Sequence, residues 1–72
     1  MIVDRATVAA NYNTPVEALI ELSEDAHQIV RWWVTRNPNT PLEVLIKLSN
    51  DEDEYVRYYS KQARINRIGL LK

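Results

Sequence analysis

The chain contains no cysteine. Disulfides, thiolate catalysis and cysteine-ligated zinc or iron–sulfur sites are thereby excluded. The absence also agrees with a reducing compartment. One glycine and three prolines are present, so few residues are spent on loops. A glycine-rich phosphate loop is out of reach. No apolar run approaches the roughly 18 residues needed to cross a membrane. Met1-Ile2-Val3-Asp4-Arg5 has no basic region followed by an apolar stretch, so no signal peptide is expected and the cytoplasm is the default location. No Ser/His/Asp set and no catalytic dyad can be assembled, so no enzyme activity and no cofactor are expected. The lone His27 sits among Glu24, Asp25 and Gln28 with nothing to complete a metal site. The acidic run Asp51-Glu52-Asp53-Glu54 lacks the alternating ligands and the glycine of a calcium loop, and suits a helix N-terminus.

What is present points to one small folded domain. The chain has 72 residues, 46% hydrophobic and 26% charged, which is ordinary for a globular protein near the lower size limit of a self-sufficient core. The net charge of −1 is unevenly spread. Residues 1–54 hold ten acids against four bases, whereas residues 55–72 hold five bases and no acid. A basic end of this kind marks either an acidic partner or a last helix whose cations favour its C-terminal dipole.

The strongest signal is internal repetition. Asn11-Tyr12-Asn13-Thr14-Pro15 returns as Asn37-Pro38-Asn39-Thr40-Pro41, 26 positions later. Glu17, Leu19, Ile20, Leu22, Ser23 and Asp25 recur as Glu43, Leu45, Ile46, Leu48, Ser49 and Asp51, and Val30-Arg31 recurs as Val56-Arg57. Self-similarity at a fixed period marks stacked units, whose extended surfaces bind more often than they catalyse. Each unit reads as two short helices. Thr14 and Thr40 are expected N-caps, with Pro15 and Pro41 at the first helical position and Glu17 and Glu43 completing capping boxes. A second start follows at Asp25 and Asp51, giving helices over about 26–36 and 52–64. Their apolar faces are Ile29, Val30, Trp33 and Val34 in one copy, and Tyr55, Val56, Tyr59 and Ser60 in the other. Residues 2–10 fit the same register as an unpaired second-type helix. The expectation is one all-α domain over 1–72, of about five helices and two to two and a half units. The segment 64–72, apolar and outside the repeat, is expected to fold back as a capping tail.

The pattern Val-Arg-x-x-Val-x-x-Asn-Pro-Asn-Thr-Pro-x-Glu-Val-Leu-x-x-Leu-Ser-x-Asp resembles the leucine-rich repeat variant family, HEAT-like helical repeats of bacterial proteins. The resemblance covers about residues 4–63. It implies a short right-handed helical solenoid. Tyr12 departs from the proline of the first turn, and the third copy fades after Tyr59. Founding members carry a cysteine cluster for an iron–sulfur centre, which this chain cannot build. The resemblance also implies that Asp25 with Arg31, and Asp51 with Arg57, form a structural ladder between neighbouring units, as the spacing Asp…Val-Arg does in HEAT repeats. Arg5 shares that register, and a bidentate Arg–carboxylate geometry suits the role. Ligand contact by these arginines is the alternative.

Trp32 lies about 140° from the centre of the apolar face and is expected to point outward. Tyr58 takes the same place one unit on, with Arg36 and Gln62 one turn beyond and Lys61 beside it. Trp, Tyr and Arg dominate binding hot spots. Trp32, Tyr58, Arg36, Lys61 and Gln62 are therefore the candidate partner-binding residues, with covering of the rings by the tail as the alternative. Trp33 and Tyr59 are expected in the core. The composition fits a protein-interaction module, such as a small bacterial or phage accessory factor, without membrane contact. The apolar ends, Met1-Ile2-Val3 and Ile65, Ile68, Leu70 and Leu71, also suit a homodimer. The competing function is nucleic-acid binding through Arg36, Arg57, Lys61, Arg64 and Arg67, which the acidic first 54 residues disfavour.

Overall fold

The computed structural model describes residues 1–70 and shows five helices and no strand among them. They are α1 (Ile2–Ala10), α2 (Val16–Leu22), α3 (Gln28–Arg36), α4 (Leu42–Leu48) and α5 (Glu54–Leu70). Both ends of α3 fall 26 residues after those of α1, both ends of α4 fall 26 after those of α2, and α5 starts 26 after α3. The sequence period is thus also the period of the helices. None of the described helices is long and apolar enough to cross a membrane.

The short helices start by a different device from the one expected. Thr14 and Thr40 do not cap α2 and α4, and no capping box closes. Pro15 and Pro41 stand at the N-cap with extended backbone, and the helices begin one residue later. The threonine hydroxyls donate backwards instead, to the Val8 carbonyl and, at 2.6 Å, to the Val34 carbonyl. Those carbonyls end α1 and α3, where the last turn of a helix leaves acceptors without intrahelical donors. Both threonines are buried, so each bond staples one helix to the next across a proline turn.

Asp25 and Asp51 also sit ahead of the true caps. The Oδ1 of each accepts from the N–H two residues on, His27 and Asp53, at 2.9 Å in both cases. This is an Asx turn. His27 caps α3, its Nδ1 accepting from the Ile29 N–H at 3.3 Å, and the Asp53 carboxylate caps α5 through the Val56 N–H at 3.0 Å. His27 is therefore a capping residue on the surface.

The last helix does not turn back. Residues 64–70 continue α5 rather than forming a separate capping tail, and Leu71 and Lys72 lie outside the described residues. Asn37-Pro38 stops α3 because the residue before proline is driven out of the helical region. The corresponding Ala63-Arg64 are good helix formers. The extension is tied down by Arg64, whose Nη1 donates to Ser49 Oγ at 3.1 Å, and by Arg67, whose Nη2 donates to the Pro38 carbonyl at 2.9 Å.

α3 lies between α1 and α5 and packs on both, while α2 and α4 close the other side. The Cα extents are 40 × 27 × 14 Å, and the shortest is about what two helix layers fill. Ala9, Val30, Val34, Val44, Leu48 and Val56 form the shared core, with Leu19 and Leu45 fully buried beside it. Ser60 replaces a valine of the earlier copy and is also fully buried, its hydroxyl satisfied by the Arg57 carbonyl at 3.0 Å. Ile20 and Ile46, read as apolar-face positions, stay about half exposed, as do Val16 and Leu42. Seven-residue helices bury a stripe, not a full face.

Candidate functional site

The arginine–aspartate ladder forms, but with a different pairing from the expected one. Arg31 does not meet the carboxylate of Asp25 in its own unit. It donates from Nε and Nη2 to the Asp51 carboxylate of the next unit, at 2.8 and 3.0 Å, in a bidentate fork. Its Nη1 takes the Asp25 backbone carbonyl at 2.7 Å. Arg5 pairs with Asp25 in the same sense, 20 residues on, at 2.6 Å from Nε. Arg57 repeats the inner half of the pattern, donating from Nη1 to the Asp51 carbonyl at 2.7 Å and to the Glu52 carbonyl at 3.0 Å.

The two filled rungs differ in depth. The difference lies in the arginines: Arg31 is 8% exposed and Arg5 45%, whereas the Asp51 and Asp25 side chains are 9% and 10% exposed. Partial burial pushes the Asp51 carboxyl up, but the Arg31 fork and the Asp53 N–H outweigh it and hold the group below its ordinary value. The His27 N–H, and then Arg5, lower Asp25. A depressed carboxylate stabilises the fold above its unfolded-state pKa of about 4. That contribution is lost as pH falls through the lower folded-state value. The thermal midpoint should therefore drop steeply below about pH 4. The Asp51→Asn variant, weaker at neutral pH, should lose less over the same range; parallel profiles would contradict the ladder as the acid-sensitive element.

The aromatic residues gather where α3 meets α5. Trp32 packs edge-on against Trp33, with centroids 4.7 Å apart, and against Tyr59 at 5.6 Å. Tyr58 joins through Tyr59 at 5.1 Å. The Arg36 guanidinium lies over the Trp32 and Tyr59 rings, 5.4 and 5.8 Å from their centroids, within cation–π range. Beside this cluster runs a groove of about 460 Å³ lined by Gln28, Ile29, Trp32, Asp53, Tyr55 and Tyr59. Its lining is mostly aromatic and aliphatic, with Gln28 and Asp53 as the polar members.

The expected partner-binding set is divided by the fold. Trp32 and Arg36 meet in the cluster, and Trp32 lines the groove. Tyr58 is 57% exposed, while Trp32, its counterpart one period earlier, is half-buried because α5 packs against it. Lys61 and Gln62 are exposed on α5 and do not line this groove. Trp33 and Tyr59 are half-buried members of the cluster; Trp33 packs against the core, as Trp32 does, whereas Tyr59 stands outside it. Ile29 and Tyr55, assigned to the apolar face, are exposed groove walls. One signal in the sequence does point to this groove: Ile29 and Tyr55 share a register, as do Trp33 and Tyr59, and the later member of each pair is an aromatic with a polar end.

Among the described residues, no group of three or more His, Cys, Asp or Glu is placed to hold a metal. Arg64 and Arg67, counted as cations for a phosphate backbone, each donate to one protein acceptor. The chain matches no family model, no curated protein and no solved structure.

Proposed function

We propose that this chain is a non-catalytic protein-interaction module, built as a short HEAT-like solenoid of the leucine-rich repeat variant type and working in the cytoplasm. The observation that carries the reading is the groove between α3 and α5. Large amphipathic rings stand half-open there, immobilised by one another and by Arg36, so little side-chain entropy remains to be lost on binding. The groove's charge defines the occupant. Asp53 lines the groove just ahead of α5, and a partner segment would lay an apolar side chain on Ile29, Trp32 and Tyr59 and direct a lysine or arginine toward its carboxylate. The acidic lining residue argues against a phosphate backbone.

The test is selection of a random peptide library on the native chain, followed by rebinding to an Ile29→Glu variant. Ile29 is 47% exposed, so its replacement leaves the core intact. Enrichment of peptides that combine an aromatic or aliphatic anchor with a cation, and their loss on the variant, is the expected result. Peptides that bind both proteins equally would place the site elsewhere. Binding of single-stranded oligonucleotides with a steep salt dependence would replace the reading with nucleic-acid recognition.

A further inference from the structure

One rung of the ladder, at Arg57, is unfilled among the described residues. Arg31 and Arg57 hold their guanidinium groups in the same pose, each donating from Nη1 at 2.7 Å to the carbonyl of the aspartate six residues before it. In Arg31 the remaining Nε–Nη2 edge grips a carboxylate. In Arg57 that edge meets no carboxylate among the described residues. The surface around it is also open. On α3 this side is sealed by the packing of α5 and by the bond to Asp51, and Thr35 is 3% exposed. One period later, Lys61 is exposed. Tyr58, Ile65 and Ile68 are 57%, 61% and 48% exposed. Residues 58, 61, 65 and 68 are spaced three, four and three apart, which is the stripe a helix presents to another helix.

We infer that the outer face of α5 docks a helix of a partner protein, introduced by an aspartate whose carboxylate completes the ladder on Arg57. Both filled rungs specify this occupant. Each takes an aspartate in an Asx turn three residues ahead of a helix, at Asp25 before α3 and at Asp51 before α5. The fork of Nε and Nη2 matches a carboxylate, and Tyr58, Ile65 and Ile68 supply the apolar bed for the helix that follows. Glu52 and Glu54 flank the rung, so a single carboxylate is tolerated, as Asp51 is beside Glu52 at Arg31, whereas a polyanion is repelled. The inference stands on the ladder and does not require the groove.

A fluorescent, N-acetylated peptide with the sequence of residues 50–63 serves as the probe. It carries the aspartate and helix that satisfy Arg31 within the chain. Binding to the full chain is read by anisotropy, with folding of each variant checked by circular dichroism. Arg57→Lys should weaken binding about tenfold, since it removes a bidentate charge-assisted pair. An Asp51→Asn change in the peptide should have the same effect. Ile65→Glu, on the exposed stripe and away from the rung, should abolish binding even if Arg57→Lys disturbs the fold. Ile29→Glu should leave it unchanged, which separates this face from the groove. Equal binding by Arg57→Lys and Ile65→Glu overturns the inference. So does displacement of the peptide by inorganic phosphate at equal ionic strength. Sedimentation of the native chain as a dimer that Ile65→Glu dissociates would make a second copy the occupant and overturn the assignment to a separate partner.

Discussion

An Arg31→Met variant should lose about 3–5 kcal/mol of unfolding free energy, the cost of stripping one partner from a buried ion pair. A chain of 72 residues has roughly that much to lose. The variant should therefore be largely unfolded at 25 °C. Methionine keeps the apolar stem of the side chain, so the loss isolates the guanidinium. Its removal leaves three oxygens without their donor: the two of the Asp51 carboxylate and the Asp25 carbonyl. Asp51 would remain buried with only its backbone N–H partner. The exposed rung gives the contrast. Arg5→Met removes the same chemistry at a side chain 45% exposed, where solvent already screens the pair, and Asp25, 10% exposed, keeps the His27 N–H. Its cost should be about 1 kcal/mol or less. Urea titrations followed by the fluorescence of Trp32 and Trp33 would measure both. Similar losses at the two sites would mean that burial does not decide the strength of a rung.

Much of this fold is legible because the sequence repeats. The number of helices, their order and their spacing follow from the Asn-Thr-Pro turns and the Leu19/Leu45 and Val30/Val56 pairs, all of which the structure buries or places at turns. The errors have a common physical source. A helical wheel assigns one inside and one outside, whereas α3 is covered on three sides and α5 on fewer. Trp32 and Tyr58 occupy one register yet differ in exposure because only the first has a following helix. Ile29 and Tyr55 fall on the edge of the apolar arc, where exposure depends on the width of the gap between α3 and α5. The threonines mislead differently. A threonine before proline reads as an N-cap, and only the position of the preceding helix shows that its hydroxyl has a better acceptor behind it. The ladder spacing shows that arginine and aspartate belong together, but not that Arg31 reaches forward across the unit boundary. That distinction turns Arg57 from a satisfied residue into an open end.

The second large effect should come from Asn37. Its side chain is 1% exposed and makes three hydrogen bonds. Nδ2 donates to the Ala9 carbonyl at 2.8 Å and to the Asn11 carbonyl at 2.9 Å, and Oδ1 accepts from the Asn39 N–H at 2.9 Å. One amide thus closes its own turn and clamps the end of α1 to it. Asn37→Ala should cost about 2–4 kcal/mol, because it strips the Ala9 carbonyl and the Asn39 N–H of their side-chain partner and leaves the Asn11 carbonyl only the Thr14 N–H. Asn37→Asp should be worse at neutral pH, although it is nearly isosteric. A carboxylate keeps the acceptor but aims negative charge at two carbonyl oxygens. Desolvation and these dipoles would raise its folded-state pKa above the unfolded value of about 4. The penalty is full above the raised pKa and shrinks as pH falls through it, since the protonated acid can donate to one of the two carbonyls. Relative to the native chain, Asn37→Asp should therefore recover stability between neutral pH and about pH 5, while Asn37→Ala stays level. Thermal melts of the three proteins across that range would decide it, and a pH-independent gap for Asn37→Asp would mean that the turn opens to admit water to residue 37.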